Sequence, residues 1–216
     1  MARRSVSLDR ILRKIRNGIY MQRFLENLAR LGIEITPYYI VREQANAAHS
    51  PVASVPMPDL DAGWLEGKEL GEIMHLEGKG IMLDELQKRA AAGHRCFVAK
   101  HEARVIAKMW CNLREFHSPP CKFDLQDDEA YLYAAHTEPG HQGKGIAPFL
   151  RENCYKALAK EGITNFYSYT EYFNIPAKKF KKKLGARNLA LCLHVSLFEQ
   201  ISWDWTLRKY EEKAVS

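Results

Sequence analysis

The sequence has no uninterrupted apolar run long enough to cross a membrane, although 46% of its 216 residues are apolar. This excludes a membrane-spanning helix, and the apolar content excludes a disordered or collagen-like chain. The chain has no internal repeat and only five cysteines, at intervals of 15, 10, 33 and 38 residues. An odd count without paired spacing does not fit a disulfide framework or a zinc site, so we expect a reducing, cytoplasmic setting.

A basic excess is present, but it is confined to one end of the sequence. The 32 Lys and Arg residues exceed the 26 Asp and Glu residues, for a formal net charge of +6. Residues 1–33 hold eight basic and two acidic residues, which already gives +6, so residues 34–216 balance at 24 against 24. We therefore expect a basic extension over 1–33 and a main domain over 34–216 with no general affinity for nucleic acid.

The basic extension has the apolar spacing of an amphipathic helix. Ser7 is placed to cap its start, Gly18 to interrupt it and Gly32 to end it. Packing of the helix on the main domain is the leading interpretation, and binding to an anionic membrane or a phosphate backbone is the alternative. No signal-peptide pattern is present, so we expect the segment to be retained.

The main domain has sequence patterns typical of both strands and helices, and these predict an α/β (α+β) fold. Strands are predicted over 35–41, 95–100, 105–113, 130–137, 163–173, 189–198 and 201–207. Helices are predicted over 65–76, 83–92, 147–158 and 176–184, and loops over 44–58 and 116–128.

The most informative segment is the strand that ends at Thr137 and leads through two glycines into a helix. Gly143 and Gly145 allow a ligand to approach the backbone N–H groups of the helix N-terminus, a geometry that binds phosphate or pyrophosphate. A Walker loop is excluded because Lys144 is followed by Gly rather than Ser or Thr. A dinucleotide fingerprint is excluded because Pro148 stands at the position of its third glycine.

Residues 142–147, QGKGIA, resemble the Gln/Arg-x-x-Gly-x-Gly/Ala signature of the GNAT superfamily of acyl-CoA-dependent N-acyltransferases. Asn174 and Ala177, followed by Leu184 and Gly185, match the later Asn-x-x-Ala and Leu-Gly pattern of that family. The resemblance covers about residues 35–207 and leaves out the basic extension. It implies a GNAT-like fold, with a mixed, mostly antiparallel central sheet flanked by helices.

The resemblance also implies the cosubstrate, an acyl-CoA and in the simplest case acetyl-CoA, held in a cleft between splayed central strands. It assigns cofactor binding to Thr137, Gln142, Gly143, Lys144, Gly145, Ile146, Ala147 and Asn174. An acceptor amine would attack the thioester directly, helped by proximity, an oxyanion-stabilising N–H, a base and an acid. No metal is expected, because His117 and Cys121 alone are too few ligands for a site.

The base for the amine proton is sought on the strand before the loop. In the family that the sequence resembles, strand residues at even separation from the Thr137 position face the cleft, which implies Glu129, Tyr131 and Tyr133 on the cleft face and His136 on the opposite face. Glu129 is the candidate base, directly or through water, with Tyr131 beside it as a second catalytic candidate. A solvent-facing acidic residue is the alternative for Glu129, and His136 is a reserve candidate.

The acid for the leaving thiolate is the point where the sequence departs from the family. Lys181 stands where many members carry a tyrosine, and an ammonium there would stabilise a thiolate. The alternative is that Lys181 belongs with the neighbouring lysines of 178–183 to a solvated helix face or a contact for the CoA phosphates. Tyr172 and Tyr155 are the other candidates for the acid.

The acceptor-binding candidates are aromatic and acidic residues on strands expected near the cleft: Trp110, Tyr133, Tyr167, Tyr169 and Glu171. Such a set suits a cationic amine, and core packing of the aromatics is the alternative. The leading hypothesis is an N-acyltransferase, most simply an acetyltransferase, acting on a small-molecule or peptide amine. The alternatives are a catalytically weak acyl-CoA-binding module, or a protein recruited to membrane or nucleic acid by its basic helix. A homodimer through the last strands stays open.

Overall fold

One mixed sheet with helices on both faces organises the computed structural model of this chain. The structure describes residues 19–44, 58–78, 80–118 and 121–210. The helices are α1 (Ile19–Arg30), a 3₁₀ helix (Gly67–Leu76), α2 (Leu83–Ala91), a short 3₁₀ turn (Pro139–His141), α3 (Ile146–Ala159) and α4 (Ile175–Lys183). The strands are β1 (Ile33–Gln44), β2 (Leu60–Leu65), β3 (Arg95–His101), β4 (Arg104–Asn112), β5 (Glu115–Ser118), β6 (Cys121–Asp124), β7 (Glu129–Thr137), β8 (Asn165–Glu171), β9 (Arg187–Leu197) and β10 (Ile201–Lys209).

The main sheet has eight strands in the order β10-β9-β1-β8-β7-β4-β3-β2. All neighbouring pairs are antiparallel except β7 and β8, which are parallel and are joined across α3. A parallel pair needs such a crossover connection, and the long α3 provides it. The predicted fold class, a mostly antiparallel mixed sheet flanked by helices, is confirmed.

Most predicted elements are present within three residues of their expected bounds, but β2 and the β5–β6 hairpin were not predicted. In β2, Asp61 and Gly63 interrupt the apolar pattern and only Leu65 is buried, as an edge strand permits. The β5–β6 hairpin was predicted as a loop because of its prolines and aspartates, yet Phe116 and Cys121 anchor it in the core. The hairpin depends on tertiary burial and β2 on its pairing with β3, and local composition shows neither.

The basic extension is described only in its second part, as α1, which packs on β1. The predicted helix start at Ser7 and most of the predicted loop over 44–58 lie outside the described residues. The domain boundary between residues 33 and 34 stays a prediction. Across the described ranges, no helix is both long and apolar enough to cross a membrane.

Strands β7 and β8 pair over only three positions and then separate. Glu129, Ala130 and Tyr131 face Asn165, Phe166 and Tyr167 in parallel register. Farther along, β7 carries a bulge opposite β4, where three steps from Tyr133 to His136 match two steps on β4. Ala134, inside the bulge, has a φ of +48°, in the left-handed region that non-glycine residues rarely adopt. The result is a V-shaped opening in the middle of the sheet.

The bulge also changes which side chains of β7 share a face. Tyr133 lies opposite Trp110 and His136 lies opposite Lys108, and these two β4 residues are on one face of the sheet. Thr137 lies opposite Ala107, on the other face. The predicted alternation, with Tyr133 and Thr137 together and His136 opposite, is therefore wrong, because one extra residue in a strand inverts every later position.

Helices pack against both faces of the sheet, and the core lies between the helices and the sheet. On one face, α3 buries Ile146, Leu150, Cys154 and Leu158 against β3, β4 and β7. On the other face, the 3₁₀ helix and α2 cover β3 and β4. The five cysteines are all buried and none forms a disulfide. This two-sided packing leaves the V between β7 and β8 as an internal cleft.

Candidate active site

A cavity of about 610 Å³ occupies the V between β7 and β8. Residues of β7, α3, β8 and α4 line it. Its lining includes Leu150 and Arg151 from the α3 side of the sheet and Tyr133 and Tyr169 from the opposite side. A bound molecule can therefore be contacted from both faces of the sheet, and we call this cavity the cleft.

The glycine loop lies at one end of the cleft and presents backbone donors. Gly143 and Gly145 have φ of +76° and +84°, and Gly145 is the N-cap of α3. The first bond into the helix runs from Phe149 N–H to the Gly145 carbonyl at 3.1 Å, so the N–H groups of Ile146 and Ala147 have no acceptor within α3. These donors and the positive end of the helix dipole favour an anion at this point.

The space in front of the loop is open. A Cβ placed on Gly143 would meet no atom within 4 Å among the residues that the structure describes. The Gln142 side chain ties the loop to the end of β7, since its Nε2 donates to the Thr137 carbonyl at 3.0 Å. The space next to Gly143 is therefore free of described protein atoms on the side where an anion would approach.

The predicted cofactor-binding residues cluster around this end of the cleft. Thr137, Gln142, Ala147 and Asn174 line it, and the other four form the adjoining loop and helix start. Asn174 also caps α4, because its Oδ1 accepts from the Ala177 N–H at 3.0 Å. The structure brings the predicted set together, and its role in binding stays a prediction.

The inner wall of the cleft holds a buried ionic network centred on Glu43, which sequence analysis missed. Glu43 is fully buried and accepts from Arg151 Nη2 at 2.8 Å and Nε at 3.2 Å. It also accepts from Ser168 Oγ at 2.5 Å and from the Tyr155 hydroxyl. Burial opposes ionisation, but the charges of Arg151 and Lys181 outweigh it and lower the pKa of Glu43 to about 2.

Lys181 completes this network and faces the cleft. Its Nζ donates to Ser168 Oγ at 2.7 Å and to the Tyr169 carbonyl at 2.9 Å, and lies 3.7 Å from Glu43 Oε1. Burial lowers the pKa of Lys181 to about 8, with Arg151 acting in the same direction and Glu43 opposing it. The network therefore carries two cations against one carboxylate, and Lys181 holds the proton that leaves most easily.

The other lysines of α4 do not share this environment. Lys178 lies over the rings of Tyr39 and Tyr172 and donates to the Tyr172 carbonyl at 3.0 Å. Lys179 is exposed, and both lysines line a second groove that Thr170 and Lys181 also border. The solvated-face interpretation therefore suits Lys179 but not the partly buried Lys178, and the hydrogen bonds of Lys181 at the cleft favour it as the functional lysine.

Three of the predicted catalytic residues lie away from the cleft lining. Glu129 is 4% exposed at the paired end of the V, where it accepts from the Tyr167 hydroxyl at 2.7 Å. Tyr131 is 6% exposed and packs in the core. Tyr172 stacks on Tyr39, outside the cleft. Their catalytic roles stay predictions, but the geometry does not favour them.

The remaining candidates divide between core and cleft. Trp110 is fully buried, with its Nε1 donating to Glu77 at 3.2 Å, and Tyr167 is buried beside Phe116. Burial raises the pKa of Tyr155 well above its usual value, and its hydroxyl is held on Glu43. Core packing thus accounts for all three. The other candidates line the cleft on the side opposite α3, and they are Tyr133, His136, Tyr169 and Glu171.

A tyrosine–histidine contact at the cleft was also missed. The Tyr133 hydroxyl lies 2.5 Å from His94 Nδ1, although the two residues are 39 positions apart. No local pattern marks His94, which follows Gly93 at the end of α2. Within the described ranges, no group of three or more His, Cys, Asp or Glu residues is arranged to hold a metal ion.

Comparison with solved structures shows the fold. An acetyltransferase of the GNAT family from Colwellia psychrerythraea matches at 16% identity and TM-score 0.54, over 76% of this chain and 57% of that one. A GNAT-family structure from Novosphingobium aromaticivorans matches at 18% identity and TM-score 0.51, over 77% and 66%. A conserved Staphylococcus epidermidis protein of unknown function matches at 11% and 0.53, over 80% and 66%. The chain spans only about 57–66% of the length of these structures.

The family is identified by a match to the sequence. The search of curated proteins found no match to this sequence. The model of the Acetyltransferase (GNAT) family matches residues 67–186, a range that contains the glycine loop, both strands of the V and Lys181. Because this match takes in more than half of the chain and the whole framework of the cleft, the protein belongs to the GNAT acetyltransferase family.

Proposed function

We propose that the protein transfers an acyl group, most simply acetyl, from acyl-CoA to the amine of a small molecule or peptide. The observation that carries the proposal is the continuity of the cleft, which joins an anion-binding helix N-terminus to a buried lysine. A bound acyl-CoA would supply a thioester carbonyl that an amine can attack. Five buried thiols without a disulfide support a reducing, cytoplasmic setting.

The loop and the strand ends would hold the cosubstrate. The N–H groups of residues 143–147 would receive the pyrophosphate, because Ile146 and Ala147 have no acceptor within α3 and residues 143–145 form the loop directly before it. Thr137 and Asn174 flank the space between the loop and the inner wall, where a pantetheine arm would lie. The family match supports acetyl-CoA as the natural donor.

Lys181 would supply the proton for the departing sulfur. An acid works best when its pKa lies near the working pH, and about 8 is close to that of a free thiol, about 8.5. Ser168 and the Tyr169 carbonyl fix the direction of Nζ, and Glu43 is already neutralised by Arg151. An ammonium at this position can thus replace the tyrosine that is usual in the family.

The opposite mouth of the cleft would bind the acceptor. Tyr133 and Tyr169 offer aromatic faces, and Glu171 adds an exposed carboxylate. Aromatic rings beside a carboxylate suit a cationic amine rather than an anionic or purely apolar acceptor. We therefore propose an acceptor that carries a second positive charge near the reacting amine.

Calorimetry with acetyl-CoA tests the proposal. Gly145→Asp should abolish binding, because it places a carboxylate at the anion site. Gly162→Asp is the matched control, since Gly162 also has a positive φ, of +86°, and lies at the far end of α3. Failure of the wild type to bind acetyl-CoA would refute the proposal.

Activity is then measured as thiol release over a panel that contains a diamine, an amino sugar and an amino acid. Acceleration by a dicationic amine is the expected result. Binding of acetyl-CoA with no acceleration by any amine would instead favour a catalytically weak binding module.

A further inference from the structure

We propose that Tyr133 and His94 form the relay that removes the proton from the attacking amine, an inference that rests on the acyltransfer proposed above. Glu129, the base expected from the sequence, lies at the closed end of the V and outside the cleft lining. Tyr133 is instead placed at the open end, directly before the bulge at Ala134.

The contact between the two side chains is built into the fold. Tyr133 Oη lies 2.5 Å from His94 Nδ1, and the two rings meet edge to face, at 88° with centroids 5.7 Å apart. On its other side the phenol ring stacks on Tyr131, with centroids 5.1 Å apart and 17° between the planes. The hydroxyl is thus held at one position, while His94 is only partly buried and can exchange protons with water.

Both groups are neutral near pH 7, as a relay requires. Burial raises the pKa of the Tyr133 phenol, with Arg89 opposing. Burial lowers the pKa of His94 below its usual 6.5, with Arg89 and Arg114 acting in the same direction and Glu115 opposing. In the tautomer that carries its proton on Nε2, the neutral phenol donates to Nδ1, and this leaves an oxygen lone pair of Tyr133 to accept from an amine in the cleft.

The other ionisable groups around the pair are otherwise engaged or inert. Glu77 accepts from Lys108 Nζ at 2.6 Å and from Trp110 Nε1, so it is not available as the base. Cys96 and Cys111 are buried, and burial raises the pKa of each thiol to about 12. Arg89 donates to Glu85 Oε1 at 2.5 Å. Of the groups named here, His94 alone contacts the Tyr133 hydroxyl and can take up its proton.

The step balances as follows. The amine nitrogen forms a bond to the thioester carbon, and the carbon–sulfur bond breaks with its electron pair on sulfur. The amine proton passes to Tyr133 Oη while the phenol proton passes to His94 Nδ1. Lys181 Nζ gives a proton to the sulfur, so the chain ends with one proton gained at His94 and one lost at Lys181. Water restores both.

Removal of either member should slow turnover without weakening cosubstrate binding. His94→Ala and Tyr133→Phe should each lower kcat about 100-fold, the scale of general base catalysis. His117→Gln, at an exposed position on β5, is the control and should leave kcat unchanged. The affinity for CoA, measured by calorimetry, should stay within about twofold in all three variants and thereby report an intact fold.

Chemical rescue separates a proton carrier from a packing residue. Added imidazole should restore His94→Ala about tenfold, but not Tyr133→Phe, which lacks the hydroxyl bridge. His94→Gln, which keeps a polar side chain but cannot take up a proton, should stay slow. In the wild type, kcat should fall as the pH drops through the lowered pKa of His94, and this acid limb should be lost in His94→Ala.

The failures of the two proposals are distinguishable. If the wild type neither binds acetyl-CoA nor releases thiol, the acyltransferase proposal itself fails. If the wild type turns over and His94→Ala keeps kcat within twofold, or is slow but not rescued by imidazole, the relay is refuted and the acyltransferase stands.

Discussion

The two ends of the cleft are built in different ways. The glycine loop comes from one contiguous segment and presents backbone N–H groups, so its shape depends on two glycine conformations and a helix start. The proton-handling end is built from side chains of six elements or their flanks, which meet only in the folded chain: Glu43, His94, Tyr133, Arg151, Ser168 and Lys181. The loop should therefore tolerate changes at its non-glycine side chains, and the other end should not.

The largest expected effect comes from the buried network. Arg151→Met removes the cation that bonds the buried Glu43 directly and leaves it with Lys181 at 3.7 Å, so the free energy of unfolding should fall by about 3–5 kcal/mol. Arg95→Met is the control, since Arg95 pairs with Glu161 at 2.6 Å on the surface, and its loss should cost at most about 1 kcal/mol. Urea unfolding measures both, and equal losses would contradict the distinction.

The second largest effect is expected at Lys181, which would protonate the departing thiolate. Lys181→Met should lower kcat about 100-fold while the affinity for CoA, measured by calorimetry, stays within a few fold. Lys179→Met, on the exposed side of the same helix, should change neither quantity. An unchanged kcat in Lys181→Met would assign the lysine to structure alone.

The same lysine predicts a pH dependence. Because the pKa of Lys181 is lowered to about 8, its acid form is complete well below pH 8 and is lost as the pH rises through that value. The kcat of the wild type should fall on this alkaline side, and Lys181→Arg should lack the alkaline limb because arginine stays charged. A limb that persists in Lys181→Arg would belong to another group.

The smallest effect is expected at the loop. Lys144 is exposed between the two glycines, so Lys144→Ala should weaken CoA binding only about threefold, and less so in high salt. Titrations at two salt concentrations measure this. A loss comparable to that of Gly145→Asp would show that the loop depends on its side chains as well as its backbone.

The same contrast explains what the sequence could predict. Residues 142–147 are adjacent in the chain, so a local motif identified the loop and Lys181 was found by counting from Asn174. The Glu43–Arg151 pair joins residues 108 positions apart, and nothing local marks either partner. The faces of β7 were mispredicted because the bulge at Ala134 is fixed by pairing with β4 rather than by its own side chain. Contacts set by distant strands need the fold.

The position of β1 has a consequence for how the protein is made. This first strand of the described chain lies between β8 and β9, and Arg42 bonds Asn165, 123 residues later. On the ribosome, β1 emerges long before either neighbour exists, with its ladder groups and buried positions uncovered. Its half of the sheet can close only after β8 and β9 have been made, so the nascent chain should need protection from premature association until then.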